Sequence, residues 1–145
     1  MRGRPVLSKY LPCIVFVAIA VDPACSNASQ IVQGFVQVKI TATSSTQIIT
    51  TANCVATLTY VDSITNAVFT NDLSKQVTPV NNVVTCTVTV PYDWNLTDLT
   101  GKIAISYSVS GQNESGAIVK STGGGFAPIP VTTTGTTVLT VSTVF

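Results

Sequence analysis

No histidine occurs in the 145 residues, and only 9% of them are charged, against about 25% in an ordinary soluble domain. The first absence removes Ser-His-Asp and Cys-His nucleophilic catalysis and every histidine-ligated metal site. The second leaves seven basic residues against six acidic ones, a net charge of +1. So small a charge gives no field to hold nucleic acid. No D-x-D-x-D-G calcium loop is present, and the few carboxylates are scattered rather than paired for hydrolysis. We therefore expect a non-enzymatic chain that uses no cofactor. Threonine and valine are what the sequence has in excess, 23 and 22 residues, nearly a third of the chain. Both are stiff at χ1 and fit a pleated, half-buried surface better than a helix.

Residues 1–10 carry Arg2, Arg4 and Lys9 and no acid, and residues 11–21 (LPCIVFVAIAV) follow as an eleven-residue apolar run. That run is too short to cross ~30 Å of hydrocarbon as a helix. Asp22 and Pro23 end it, and small residues come next. Basic start, short apolar stretch and small residues together make the pattern of a secretory signal peptide. The competing reading is a buried strand or short core helix kept in the mature chain. Two cleavage points fit, after Ala20 and after Ala28. Cutting after Ala20 leaves Cys25, Cys54 and Cys86, an odd number in an oxidising compartment; cutting after Ala28 leaves Cys54 and Cys86, which can pair. A lipoprotein cut before Cys25 is disfavoured by Asp22 three positions earlier. We take residues 1–28 as the leader and residues 29–145 as one secreted domain. Within that domain four lysines face five acids, a net charge of −1, and no second apolar run is long enough to span a membrane.

Alternation with period two recurs through the rest of the chain. Residues 35–42 place Val36, Val38, Ile40 and Ala42 on one face. Residues 53–60 do so with Cys54, Ala56, Leu58 and Tyr60, and residues 84–90 with Val84, Cys86, Val88 and Val90. Residues 102–109 align Ile103, Ile105, Tyr107 and Val109, and residues 136–145 align Leu139, Val141 and Phe145. Shorter strands are expected at 67–70, 76–80 and 117–121. Turn signals stand between them, among them Asn71 with Asp72, Asn81 with Asn82, residues 95–101, residues 111–116 and the glycine run 123–125. Seven or eight short strands with one apolar and one Thr/Ser face point to an Ig-like antiparallel β-sandwich, with a small β-barrel as the alternative.

Few residues in this pattern carry chemistry. Cys54 and Cys86 share the inward phase of their strands, and a disulfide between them is expected. Two cysteines without histidine do not complete a tetrahedral metal site, so no metal is expected. Asp93 and Asp98 flank one turn where a weak cation site could form, although solvated loop acids are the plainer reading. Tyr92 and Trp94 could present an exposed apolar platform for a sugar ring, or else close one end of the core. Asn95 and Asn113 head N-x-S/T sequons in expected loops. The glycine run lacks the Lys-Ser/Thr and helix of a phosphate loop and reads as a flexible connection before a proline-bearing edge segment at 126–131.

The stretch Gln33, Gly34, Phe35, Val36, Gln37 and Val38 resembles the start of bacterial fimbrial subunits, in which an N-terminal extension with a mid-segment glycine precedes the first strand. A leader, one disulfide, Thr/Val-rich strands and a late aromatic, here Phe145, are similar as well. The first cysteine follows Gly34 by 20 residues, later than in that family, and Phe145 stands last where the family has a penultimate tyrosine. The resemblance implies assembly by β-strand addition, one subunit's extension completing the sheet of the next. On that basis residues 30–38 are the donor candidate, with Ile31, Val32, Gly34, Phe35, Val36 and Val38 as its contact positions and other copies of the chain as partners. The alternative is a secreted binding module or adhesin whose loops recognise a carbohydrate or a host or cell-surface protein.

Overall fold

A computed structural model describes residues 28–44, 48–131 and 135–145. Apart from Ala28, the expected leader lies outside the described residues. The described residues hold eight strands and no helix. They are β1 (Gln30–Thr43), β2 (Thr51–Val61), β3 (Val68–Val77), β4 (Val83–Leu96), β5 (Lys102–Gln112), β6 (Ile118–Gly125), β7 (Ile129–Pro130) and β8 (Thr136–Val144).

Sheet A has three strands in the order β4-β1-β8, and sheet B has β3-β2-β5-β6 with β7 also paired to β5. Both sheets have free edges, so the fold is a β-sandwich and not a closed barrel. One pairing departs from the antiparallel expectation: β8 runs parallel to β1, from Phe35 beside Thr136 to Thr43 beside Val144.

The period-two pattern of the sequence becomes the core. Val32, Val36, Val38, Ile40 and Ala42 of β1 are all buried, as are Val84, Cys86, Val88 and Val90 of β4. From sheet B come Cys54, Ala56, Leu58, Tyr60, Ile103, Ile105 and Val109. Each buried valine or isoleucine contributes about 1.5–3 kcal/mol relative to an exposed one. Leu139 and Val141 of β8, Phe145 just after it and Tyr107 of β5 are only half-buried.

Three local expectations are corrected. Asn71 and Asp72 do not turn the chain; one strand, β3, runs through them and merges the expected strands at 67–70 and 76–80. It can do so because Asn71 lies at a sheet edge, where its Nδ2 donates to the Pro91 carbonyl across to sheet A at 2.7 Å. Pro91 does not end β4. Phe35, its partner in register, turns its N–H to Gly135 in the connection leading into β8, so the missing N–H of Pro91 faces away from β1 and breaks no ladder bond. The glycine run is not a loose connection but the end of β6. A Cβ on Gly123 would lie 2.7 Å from the Tyr107 carbonyl, so β6 approaches β5 there more closely than a side chain permits.

The expected turn forms at Asn81 and Asn82, both at positive φ (50° and 60°), with Val80 and Val83 exchanging backbone bonds of 3.0 and 2.9 Å in an isolated bridge.

Cys54 and Cys86 form a disulfide, their Cα atoms 6.7 Å apart, and so fasten β2 of sheet B to β4 of sheet A. The bond closes a loop of 32 residues. In the chain-entropy description such a closure stabilises by about 3.5–4 kcal/mol. Denaturant unfolding with and without reductant should show a loss of about that size, with both halves of the sandwich unfolding together.

Candidate functional site

The donor candidate at 30–38 is the first part of β1, and in this chain it pairs within its own domain. Its register with β4 sets Val32 beside Trp94, Gly34 beside Tyr92, Val36 beside Val90 and Val38 beside Val88. The alternation divides the six contact positions. Val32, Gly34, Val36 and Val38 face the core, whereas Ile31 and Phe35 point outward with 62% and 50% of their surface exposed. Gly34 is the position where no side chain fits: a Cβ there would lie 2.6 Å from Tyr92 Cζ. The glycine therefore makes room for an aromatic ring on the neighbouring strand of the same chain.

Tyr92 and Trp94 are not an exposed platform. Each retains only 4% of its surface, because both occupy inward positions of β4, which continues two residues beyond Trp94. Trp94 lies among three rings, with centroids 5.1 Å from Tyr92 and 6.0 Å from both Tyr60 and Phe69. Its Nε1 donates to Asn71 Oδ1 at 3.2 Å. The cluster closes the flank where β3 and β4 meet. What remains open beside it is a shallow groove of about 400 Å³, bordered by Gln33, Phe35, Asn71, Pro91 and Asp93.

Behind the aromatic rings two acids do work that their scatter in the sequence conceals. Asp62 retains 1% of its surface. Its Oδ1 accepts from the backbone of Ile64 and Thr65, both at 3.0 Å. Its Oδ2 accepts from the backbone of Thr97 at 2.6 Å and of Asp98 at 3.0 Å. Asp98 in turn accepts from Ser63 Oγ at 2.5 Å and from both the N–H and Oγ1 of Thr100 at 2.7 Å. The Tyr60 hydroxyl donates to the Asp98 carbonyl.

These bonds tie the β2–β3 connection to the β4–β5 connection. Burial by itself would raise the Asp62 pKa. The four N–H donors of Thr65, Asp98, Thr97 and Ile64 outweigh it and hold the carboxyl well below the usual range. Hydrogen bonds from Ser63 and Thr100 lower Asp98 in the same sense. Burial raises the Tyr60 phenol, and the Asp98 charge adds to the shift. The reading of Asp98 as a solvated loop acid or cation ligand is corrected accordingly, since its oxygens are occupied by protein donors. The sequence signal was available: an aspartate whose side chain caps the N–H groups two and three residues on is a familiar turn device.

The sequons also separate. Asn95 lies within β4, not in a loop, and is exposed on the outer face beside Ile31. Asn113 sits in the β5–β6 turn, where its Oδ1 accepts from the Ser115 and Ala117 backbones, both at 3.1 Å, and from Ser115 Oγ at 2.7 Å. Among the described residues no group of three or more His, Cys, Asp and Glu side chains converges, and no helix is long and apolar enough to cross a membrane.

No protein-family model, no curated protein and no solved structure matches the chain.

Because the folded Asp62 carboxyl titrates below its ordinary value of 3.8, its stabilising effect is complete above that pH and fades as pH falls below it. The thermal midpoint should therefore drop between about pH 4 and pH 2. Asp62→Asn should lower the midpoint at pH 7 and flatten the acid-side drop, as read by circular dichroism.

Proposed function

We propose that this chain is a secreted, non-enzymatic structural subunit of an extracellular filament, pilus or surface matrix. Its copies join by β-strand addition, with residues 30–38 as the donated segment. The observation that carries this reading is how β1 is held. The disulfide joins β2 to β4, the aspartate hub joins the β2–β3 and β4–β5 connections, and Asn71 joins β3 to β4. All three lie outside β1.

Two backbone ladders, the apolar face of the strand and one side-chain hydrogen bond, from Gln37 Nε2 to Thr89 Oγ1, hold β1 itself. A second copy's β1 makes the same contacts in the same slot, so exchange between copies conserves burial and hydrogen bonding. Segment swapping of this kind is a low-cost route to assembly. A disulfide and a nearly uncharged, Thr-rich exterior suit an extracellular polymer. The alternative, a binding module for carbohydrate or a cell-surface protein, rests on the groove beside Phe35 and Asp93.

Crosslinking in register separates the states. Gln37 and Thr89 are register partners whose side chains meet at 3.4 Å on the outer face. The N–H of Phe35 points towards β8, so Gln37 and Thr89 form a non-hydrogen-bonded pair, close enough to bridge. Oxidised Gln37→Cys/Thr89→Cys assemblies should run as a covalent ladder on non-reducing gels, with filaments in negative stain. A single-chain band from all native material would overturn strand exchange.

A further inference from the structure

Among the described residues the edge strands are β4 and β8 in sheet A and β3 and β6 in sheet B, with the two-residue β7, which carries Pro130, also paired to β5 alone. Natural sheets protect such edges with charge, proline, bulges or cover. β3 carries Asp72 and Lys75, and β4 carries Pro91 and Asp93 and is bridged to β3 by Asn71. β6 carries Lys120, and its pairing with β5 is irregular at Gly111 and Gln112. β8 is different: its nine residues, TTVLTVSTV, include no charge, no proline and no glycine.

The backbone phase of β8 follows from its two ends. The Gly135 carbonyl accepts from Phe35, and the Phe145 N–H donates to the Thr43 carbonyl. Odd-numbered positions therefore turn their backbone groups to β1. Period two then turns the N–H and C=O groups of Val138, Thr140 and Ser142 out to the free edge. The flank beside this edge is thinly covered. Leu139 and Val141 are half-buried, although their neighbours in register, Val38 and Ile40, are fully buried. Thr122 of β6 meets Thr143 of β8 at 3.2 Å, so the two strands face each other on this flank, and Tyr107 and Phe126 nearby are also half-buried.

We propose that β8 pairs antiparallel with β8 of a second copy about a two-fold axis, fusing two three-stranded sheets into one of six strands. A two-fold contact sets a surface against itself, so any charge near the axis would meet its own kind. β8 satisfies that condition, and reversing it keeps Leu139 and Val141 on the core side of both copies. The contact goes beyond the strand-exchange reading, because it leaves β1 where it is.

The test uses the Gln37→Cys/Thr89→Cys chain closed within one subunit, in which β1 is fixed and exchange plays no part. The amides of Val138, Thr140 and Ser142 should be protected from hydrogen exchange at high protein concentration and lose protection on dilution. Light scattering should report a dimer that Thr140→Pro, which removes an outward N–H, converts to a monomer with β1 still protected. Thr140→Lys keeps that N–H, sets like charges near the axis and should weaken the dimer at least tenfold. Fast exchange at every concentration would overturn the pairing. So would protection independent of the chain's own concentration, or dimers that persist in folded forms of both variants.

Discussion

Sheet A depends on one strand lying between two others that do not pair with each other. β4 and β8 have no pairing with each other; each is joined to β1, one antiparallel and one parallel. The buried face of β1, from Val32 to Ala42, is also a large part of what the inner face of sheet B packs against. Withdraw β1 and the disulfide still holds β4 to β2, while β8 keeps no ladder at all. Five buried apolar residues of the core, Val32, Val36, Val38, Ile40 and Ala42, thus sit on the strand that alone joins β4 to β8. In the strand exchange we propose, that same set of contacts would be made between subunits.

The rest of the molecule is fastened by a different kind of interaction. At the end where β2 passes into β3 and β4 into β5, Asp62 and Asp98 accept backbone and hydroxyl donors from both connections. Buried carboxylates are costly unless their oxygens are filled, and here they are filled by the N–H groups that the turns would otherwise leave unpaired. Tyr60 and Trp94 cover this hub with aromatic surface, and the hydroxyl and indole N–H each find an acceptor. Polar satisfaction and aromatic packing thus meet in the same place and leave the other end of the sandwich to hairpin turns.

The two flanks are unequal for a related reason. Where β3 meets β4, Asn71 and Trp94 close the gap between sheets. Where β6 faces β8, the contact is a pair of threonine hydroxyls, and the apolar residues nearby are only half covered. A three-stranded sheet laid on a wider one leaves such a flank, and an uncharged, β-branched edge is the surface most open to another strand.

Alternation of apolar with Thr and Ser was enough to find most of the strands, their inward faces and the partner cysteines, because a pleated strand buried on one face imposes period two on its own residues. It did not show where β3, β4 and β6 begin and end. The inward residues from Val36 to Ala42 of β1, from Cys54 to Tyr60 of β2 and from Val84 to Val90 of β4 were legible one by one. The absence of histidine was equally plain, since composition needs no fold to be read. What only the tertiary structure decided were properties of pairs distant in sequence. Trp94 is a core residue because Phe69, Tyr60 and Tyr92 surround it, and no local pattern distinguishes that from an exposed ring. Asp62 and Asp98 are buried because two connections 35 residues apart meet. Gly34 is required by Tyr92, 58 positions later, and the glycines of β6 by the path of β5. The parallel register of β8 on β1 joins the two ends of the domain, and side-chain periodicity is the same whichever way a strand runs.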